Sequence, residues 1–369
     1  MNMKPKLRPR WQRIPLCSAF CVLACWKICH LPTFFMPADI RAIVRNWSLP
    51  MMWVAIRSGF TEFYVDQAST FRMPNSFEPK TQVDPKYQLS SGQIQQFFER
   101  GIVGPFNAFT EDEILQMRPQ LMDANTSISP TYGFETPRDR HLDMPSVAKM
   151  MTHPAIVERV AQILGPDFNC WRSQFFHKPA GTGQRIQWHQ TSTFMVDDYL
   201  DPALDPTDPS DLFWLSIWMA VDDATVENGC MQFIPGTHHE IYTARVGGDE
   251  GFYNVKYQLN YEVDPEQVID VEVKRGQFVI FTERCIHGSP PNNSDKDRCG
   301  FTALFSRPDV AVYRDKEYHR SHYNGGKFYL DKWGVVPVRG EDHLKLSRTR
   351  EIDPSWFYDK SGPAQRSAA

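Results

Sequence analysis

The chain has 369 residues, 41% hydrophobic and 13% aromatic, which is enough to bury a sizeable core and too apolar for a disordered segment. A formal net charge of -4 and a pI near 6.3 give no bulk electrostatic reason to expect nucleic acid or an anionic membrane as partner. Cys17, Cys21, Cys25 and Cys29 crowd the start, while Cys170, Cys230, Cys285 and Cys299 are scattered without disulfide or metal spacing, the usage of a reduced, cytoplasmic protein.

A basic stretch, Lys4 to Arg13, leads into an apolar run from Ile14 to Trp26 that Lys27 and His30 interrupt. Such a run fits a signal or a short membrane-associating segment. It is too short to span a bilayer, and no small-residue cleavage site follows it. No clear periodicity marks the stretch up to Pro85. Residues 1–84 are therefore read as an N-terminal extension, either a targeting segment or the result of a start assigned upstream of Met51, Met52 or Met73.

From Leu89 onward the pattern is regular. Ser90 or Ser91 caps a helix from Gln93 to Arg100 that Gly101 stops, and Thr110 with Glu113 forms a capping box opening a second. A third helix is expected from Pro145 to Leu164, with Val147, Met150, Met151, Ile156, Val157, Val160, Ile163 and Leu164 as its apolar positions and Gly165-Pro166 at its end. Strands are expected over Asn169 to Lys178, Gln184 to Phe194, Leu212 to Val221, Gly229 to Ile234, Val268 to Val273, Gln277 to Thr282 and Arg298 to Ser306. This order predicts a mainly β domain with flanking helices, a barrel or jelly roll over residues 85–350, followed by a flexible tail over 351–369. Two connections, Asp201 to Asp211 and His238 to Glu266, have the length of lids or substrate-binding elements.

Iron(II) oxygenases hold their metal with two imidazoles and usually one carboxylate on one face, leaving positions for 2-oxoglutarate and dioxygen. His189, in Trp188-His189-Gln190-Thr191, lies on an expected strand, and His287, in Cys285-Ile286-His287-Gly288-Ser289-Pro290-Pro291-Asn292, follows the strand ending at Phe281. Arg298 comes eleven residues after His287, where a guanidinium fork can grip the distal carboxylate of 2-oxoglutarate. A lone strand histidine is more often structural; two histidines and an arginine in this order make a coherent site.

The chain resembles the phytanoyl-CoA dioxygenase family, and within it the chlorinating enzymes of the syringomycin type. The likeness is carried by Gly104-Pro105-Phe106, Asp139-Arg140-His141-Leu142-Asp143, Ile163-Leu164-Gly165-Pro166-Asp167, Cys170-Trp171-Arg172, Trp188-His189-Gln190, Asp223-Ala224-Thr225, Glu227-Asn228-Gly229-Cys230 and Ile234-Pro235-Gly236-Thr237-His238. Tyr323-Asn324-Gly325-Gly326 and Leu330-Asp331-Lys332-Trp333-Gly334 extend it, so that it runs from about Leu89 to about Gly340. The resemblance implies a double-stranded β-helix (jelly roll, cupin-like) that uses Fe(II), 2-oxoglutarate and O2. It implies His189 and His287 as iron ligands, Arg298 as the cosubstrate clamp, and Gln174 and Trp218 beside the cosubstrate.

Thr191 departs from the hydroxylating members, which carry an aspartate two residues after the first histidine; on a strand that position faces the same side as the histidine. The chlorinating enzymes have a small residue there, which admits chloride to the iron, so that the substrate radical takes halogen instead of hydroxyl. Glu283, four residues before His287, falls where those enzymes carry a small hydroxyl residue near the halide. A carboxylate there repels chloride, or reaches the iron and restores a relocated ligand; an ion pair with Arg284 or Arg298 is the plainer reading. The arginine those relatives carry beyond the clamp aligns with Leu304, although Arg307 is close by. Asp197 and Asp198 lie about 20 Å farther along an extended chain than Thr191, and need a sharp turn to supply a carboxylate. His238-His239 reads as a strand-turn element, and Trp188 and Trp218 as core residues first and pocket walls second.

The expected activity is functionalisation of an unactivated C–H bond of a small or carrier-protein-tethered aminoacyl or acyl substrate, with halogenation leading and chloride then a further requirement. The alternatives are a hydroxylating dioxygenase with a relocated carboxylate, and a non-catalytic binding homologue. No nucleic-acid partner is expected, and a membrane partner only if the N-terminal segment is an anchor.

Overall fold

The computed structural model describes residues 16–32, 34, 36–64, 66, 70–129, 137–182, 185–191, 202–246, 257–314, 316–320 and 327–358. The N-terminal stretch contains α1 (Leu16–Ile28), α2 (Ala38–Asn46), α3 (Leu49–Arg57) and the short strand β1 (Glu62–Tyr64). Leu23, Ile43, Trp47, Met52, Ile56 and Phe63 bury one another in a small core. The periodicity missing from the sequence reading is present after all: Ile40, Ile43, Val44 and Trp47 follow the i, i+3, i+4, i+7 rule of a helix face. Met51 and Met52 are buried inside α3. No helix among the described residues is long and apolar enough to cross a membrane.

Next come α4 (Ser91–Arg100), β2 (Ile102–Asn107), α5 (Glu111–Thr126), α6 (Pro145–Met151) and α7 (Pro154–Leu164). Both expected capping boxes form, Ser90 with Gln93 and Thr110 with Glu113. Gly101 ends α4 at φ 81, and a Cβ there would lie 2.9 Å from both Cys285 Cβ and His238 Nδ1. The single helix expected from Pro145 to Leu164 is two. Pro154 has no N–H to continue the ladder and disfavours helical backbone at His153, which instead caps α7 by accepting the Ala155 N–H at 3.1 Å.

The remaining strands are β3 (Phe168–Lys178), β4 (Ile186–His189), β5 (Leu204–Pro206), β6 (Trp214–Ala220), β7 (Met231–Ile234), β8 (Thr243–Val246), β9 (Tyr257–Leu259) and β10 (Ile269–Val271). They are followed by β11 (Gln277–Phe281), β12 (Ile286–Ser289), β13 (Arg298–Ser306), β14 (Val310–Val312), β15 (Tyr318–Arg320), β16 (Lys327–Tyr329) and β17 (Val336–Arg339). A six-stranded sheet runs β17-β3-β13-β6-β11-β2 and a four-stranded sheet β10-β7-β12-β4. The fold is a jelly roll with flanking helices.

Alternation along the large sheet separates two cores. Leu215, Ile217, Met219, Phe278, Ile280, Phe301, Ala303 and Phe305 join the helices in one. Trp218, Ala220, Val279 and Phe281 point the other way and meet Phe233 of the small sheet. Between the sheets lies the polar cluster described below.

The expected strand from Gln184 to Phe194 is shorter, ending at His189, while 183–184 and 192–201 fall outside the described residues and take Asp197 and Asp198 with them. The two long connections carry elements of their own: β5 pairs β14, and β8 pairs both β1 and β9. The tail is partly fixed, since the Tyr358 ring meets His153 edge-on at 4.2 Å between centroids and its backbone N–H donates to Thr152 Oγ1 at 3.0 Å. Tyr323 to Gly326 lie outside the described residues.

Candidate active site

His189 ends β4 and His287 lies on β12; the antiparallel register places them directly opposite each other. Their ring centroids are 4.1 Å apart. His189 Nδ1 lies 2.8 Å from the Gln187 carbonyl and His287 Nδ1 2.8 Å from the Cys285 carbonyl. A ring nitrogen bonded to a carbonyl must be the protonated donor, so in the neutral form of each ring the lone pair is on Nε2. Burial, followed by the neighbouring His287, pushes the His189 pKa well below the ordinary histidine value and holds it neutral.

Glu283 joins this pair from the turn before β12. Its Oε2 is 3.5 Å from His287 Nε2, and its Oε1 accepts the Ser216 hydroxyl at 2.7 Å. Burial raises its pKa, with His287, Ser216 and Arg172 opposing. The expected ion pair with Arg284 or Arg298 is not made: Arg284 pairs with Asp66, and the salt-bridge partner of Glu283 is His287. Among the described residues no group of three or more His, Cys, Asp or Glu side chains stands close enough together to hold a metal ion as placed. Two imidazole nitrogens with a carboxylate oxygen 3.5 Å from one of them form an open arrangement instead.

Thr191 stands differently from the expectation. β4 stops at His189, so strand alternation no longer fixes its side chain; its N–H donates to the Glu283 carbonyl at 2.8 Å. The residue that lacks a carboxylate is thereby tied to the residue that has one.

Arg298 opens β13 opposite Lys178 and is 1% exposed. Its Nη2 donates to the Gly229 carbonyl at 2.5 Å, and its guanidinium carbon lies 5.1 Å from the Trp218 ring. Gly300 makes room for that ring, since a Cβ there would lie 2.0 Å from Trp218 Cζ2. Gln174 pairs with Thr302, which also pairs with Trp218, and Thr302 lies four residues along β13 from Arg298, so the three expected cosubstrate-side residues share one face of the sheet.

Lys178 and Ser216 carry no motif signal in the sequence, and Arg172 only its place in Cys170-Trp171-Arg172. Lys178 donates to the Ser289 carbonyl at 3.2 Å and to that of Pro290; burial, then Arg298, lowers its pKa to about 7. Arg172 lies opposite Leu304 in the β3–β13 register and donates to the Tyr313 hydroxyl at 2.5 Å. Period-two spacing places 172, 174, 176 and 178 on one face, a signal that was available in the sequence. Arg307 is committed to Asp211 and Asp309 at 2.6 and 2.5 Å, and His238 Nε2 to the Phe98 carbonyl at 2.8 Å.

A family model described as phytanoyl-CoA dioxygenase matches residues 97–300. Phytanoyl-CoA dioxygenase domain-containing protein 1 of Danio rerio is 26% identical over 246 residues, 65% of this chain and 74% of the relative. Among solved structures, CytC3 with Fe(II) and alpha-ketoglutarate superposes with a TM-score of 0.55 at 27% identity, covering 72% of this chain and 93% of the other. The non-heme monooxygenase ThoJ in its apo form gives a TM-score of 0.51 at 25% identity, with 67% and 83% covered.

Proposed function

The chain belongs to the phytanoyl-CoA dioxygenase family of Fe(II)/2-oxoglutarate-dependent non-haem oxygenases, and from that premise we propose that it is an oxygenase whose iron is held by His189, His287 and Glu283. The observation that carries this reading is the 3.5 Å approach of Glu283 Oε2 to the lone-pair nitrogen of His287. A carboxylate oxygen and an imidazole nitrogen this close would hold one ion after a small approach, with His189 on the facing strand as the third ligand.

Bound Fe(II) with 2-oxoglutarate supplies the activation of dioxygen for C–H functionalisation. The neutral His189 offers its lone pair without first losing a proton. Arg298 grips the distal carboxylate of 2-oxoglutarate, and Trp218 and Gln174 wall that end. Lys178 adds a donor there.

Glu283 also bears on the outcome. An ionised carboxylate and a chloride about 4 Å apart, at an effective dielectric of about 20, repel by about 4 kcal/mol, enough to bar a halide from competing for the same place. Hydroxylation of a small metabolite is therefore the favoured reaction. Halogenation of a small or carrier-tethered acyl or aminoacyl substrate is the second reading, favoured by the absence of a carboxylate at Thr191. Product mass spectrometry with and without chloride separates them: chlorinated product would overturn the first, and oxygenated product alone the second. A purified protein that neither binds Fe(II) with 2-oxoglutarate nor releases succinate would leave only the non-catalytic homologue.

A further inference from the structure

The turn that delivers Glu283 and His287 also holds the residues beside His189. The Cys285 N–H donates to the Thr282 carbonyl at 2.9 Å and closes it. Its two central carbonyls point back across the site: that of Glu283 accepts the Thr191 N–H at 2.8 Å, and that of Arg284 accepts Gln190 Nε2 at 2.6 Å. Gln190 is fully buried and bonded at both ends of its amide, its Oε1 accepting the Tyr242 N–H at 2.9 Å. One short turn thus ties the residues that follow His189 to the segment that carries Glu283 and leads into His287.

The outer side of that turn is closed by the N-terminal segment. Asp66 Oδ2 lies 3.7 Å from Arg284 Nε, with both side chains almost wholly buried. The Arg284 guanidinium also lies over the Phe71 ring, 5.5 Å from its centroid. Phe71 is itself pinned, donating its N–H to the His239 carbonyl at 3.1 Å and meeting His238 edge-on. Upstream, β1 adds to β8, with Glu62 and Arg245 paired at 2.9 Å. An arginine stays charged even when buried, so its position depends on a counter-charge, and here that charge comes from more than two hundred residues away in sequence.

We propose that Asp66 is a positioning residue of the active site: by compensating Arg284 it fixes the 282–285 turn and so the convergence of His189, His287 and Glu283. This rests on the iron reading above. It extends the catalytic unit upstream of residue 85, and a chain beginning at Met73 lacks a working part of the site.

The full chain, Asp66→Asn and Arg284→Gln are titrated anaerobically with Fe(II) and 2-oxoglutarate, following the metal-to-ligand absorption band, with thermal melting in parallel. Asp66→Asn is expected to weaken the band-forming complex by about tenfold or more at temperatures well below its melting point, and Asp66→Glu to recover most of that loss. Wild-type affinity in folded Asp66→Asn, whatever its melting temperature, overturns the proposal and leaves Asp66 a structural tether. If Asp66→Asn does not fold, Arg284→Gln decides, because the aspartate left behind can take up a proton; the same loss supports the proposal and wild-type affinity overturns it. Absence of the band in the wild-type chain overturns the iron reading itself, whereas a normal band unchanged in the variants overturns only the role of Asp66.

Discussion

His189 and His287 are direct cross-strand partners, their ring centroids 4.1 Å apart and each Nδ1 bonded to the carbonyl two residues earlier in its own chain. The pairing fixes both the separation of the rings and the tautomer each presents. Replacing either with alanine is expected to abolish the absorption band of the Fe(II)–2-oxoglutarate complex and to weaken Fe(II) binding by at least about a hundredfold. Retention of iron affinity within threefold in both variants would remove the metal site.

Glu283→Gln keeps the size of the side chain and its bond with Ser216 while deleting the charge. Iron affinity should fall by about tenfold or more, and chloride, no longer repelled, should begin to perturb the absorption band. Burial raises the Glu283 pKa, and a divalent cation bound there would favour the ionised form. Iron binding to the wild type should therefore release a proton and tighten as pH rises. Proton release equal in wild type and Glu283→Gln, measured by titration in buffers of different ionisation enthalpy, would show that Glu283 is not a ligand.

Arg298→Lys retains a positive charge but loses the planar fork. Charge-assisted hydrogen bonds are worth about 1.5–3 kcal/mol each, so the KM for 2-oxoglutarate should rise by about ten- to a hundredfold with a smaller change in kcat. An unchanged KM would move the cosubstrate anchor elsewhere, with Lys178 the next candidate.

Stability should fall on acidification through buried neutral histidines other than the two proposed to hold iron. Burial lowers His141 and His153 to about 4 and His238 to about 3, from an ordinary value of 6.5. Between those values the unfolded chain binds more protons than the folded one, so stability rises with pH across the window and is fully present only above about pH 6.5. The melting temperature of the metal-free protein should drop steadily from pH 7 to pH 4. A flat profile over that range would mean that these rings are solvated or paired in solution.

The legible part of the fold was the part governed by local chemistry. Helix caps at Ser90 and Thr110, the stop at Gly101 and the strand from Arg298 to Ser306 follow from rules that act within a few residues. His189, His287 and Arg298 were legible by chemistry and order. The break before Pro154 was local too, and the proline rule gives it once applied.

The sequence by itself determined which side chains are candidates for the chemistry, because residue type fixes donor atoms, charge and strand alternation. What only the tertiary structure decided is which of them meet. Thr191 leaves the strand and bonds the Glu283 carbonyl, and Arg284 meets the carboxylate of Asp66. A buried charge takes whatever partner packing brings within reach, and that partner is set by sheet register and chain crossing, which a linear pattern does not encode.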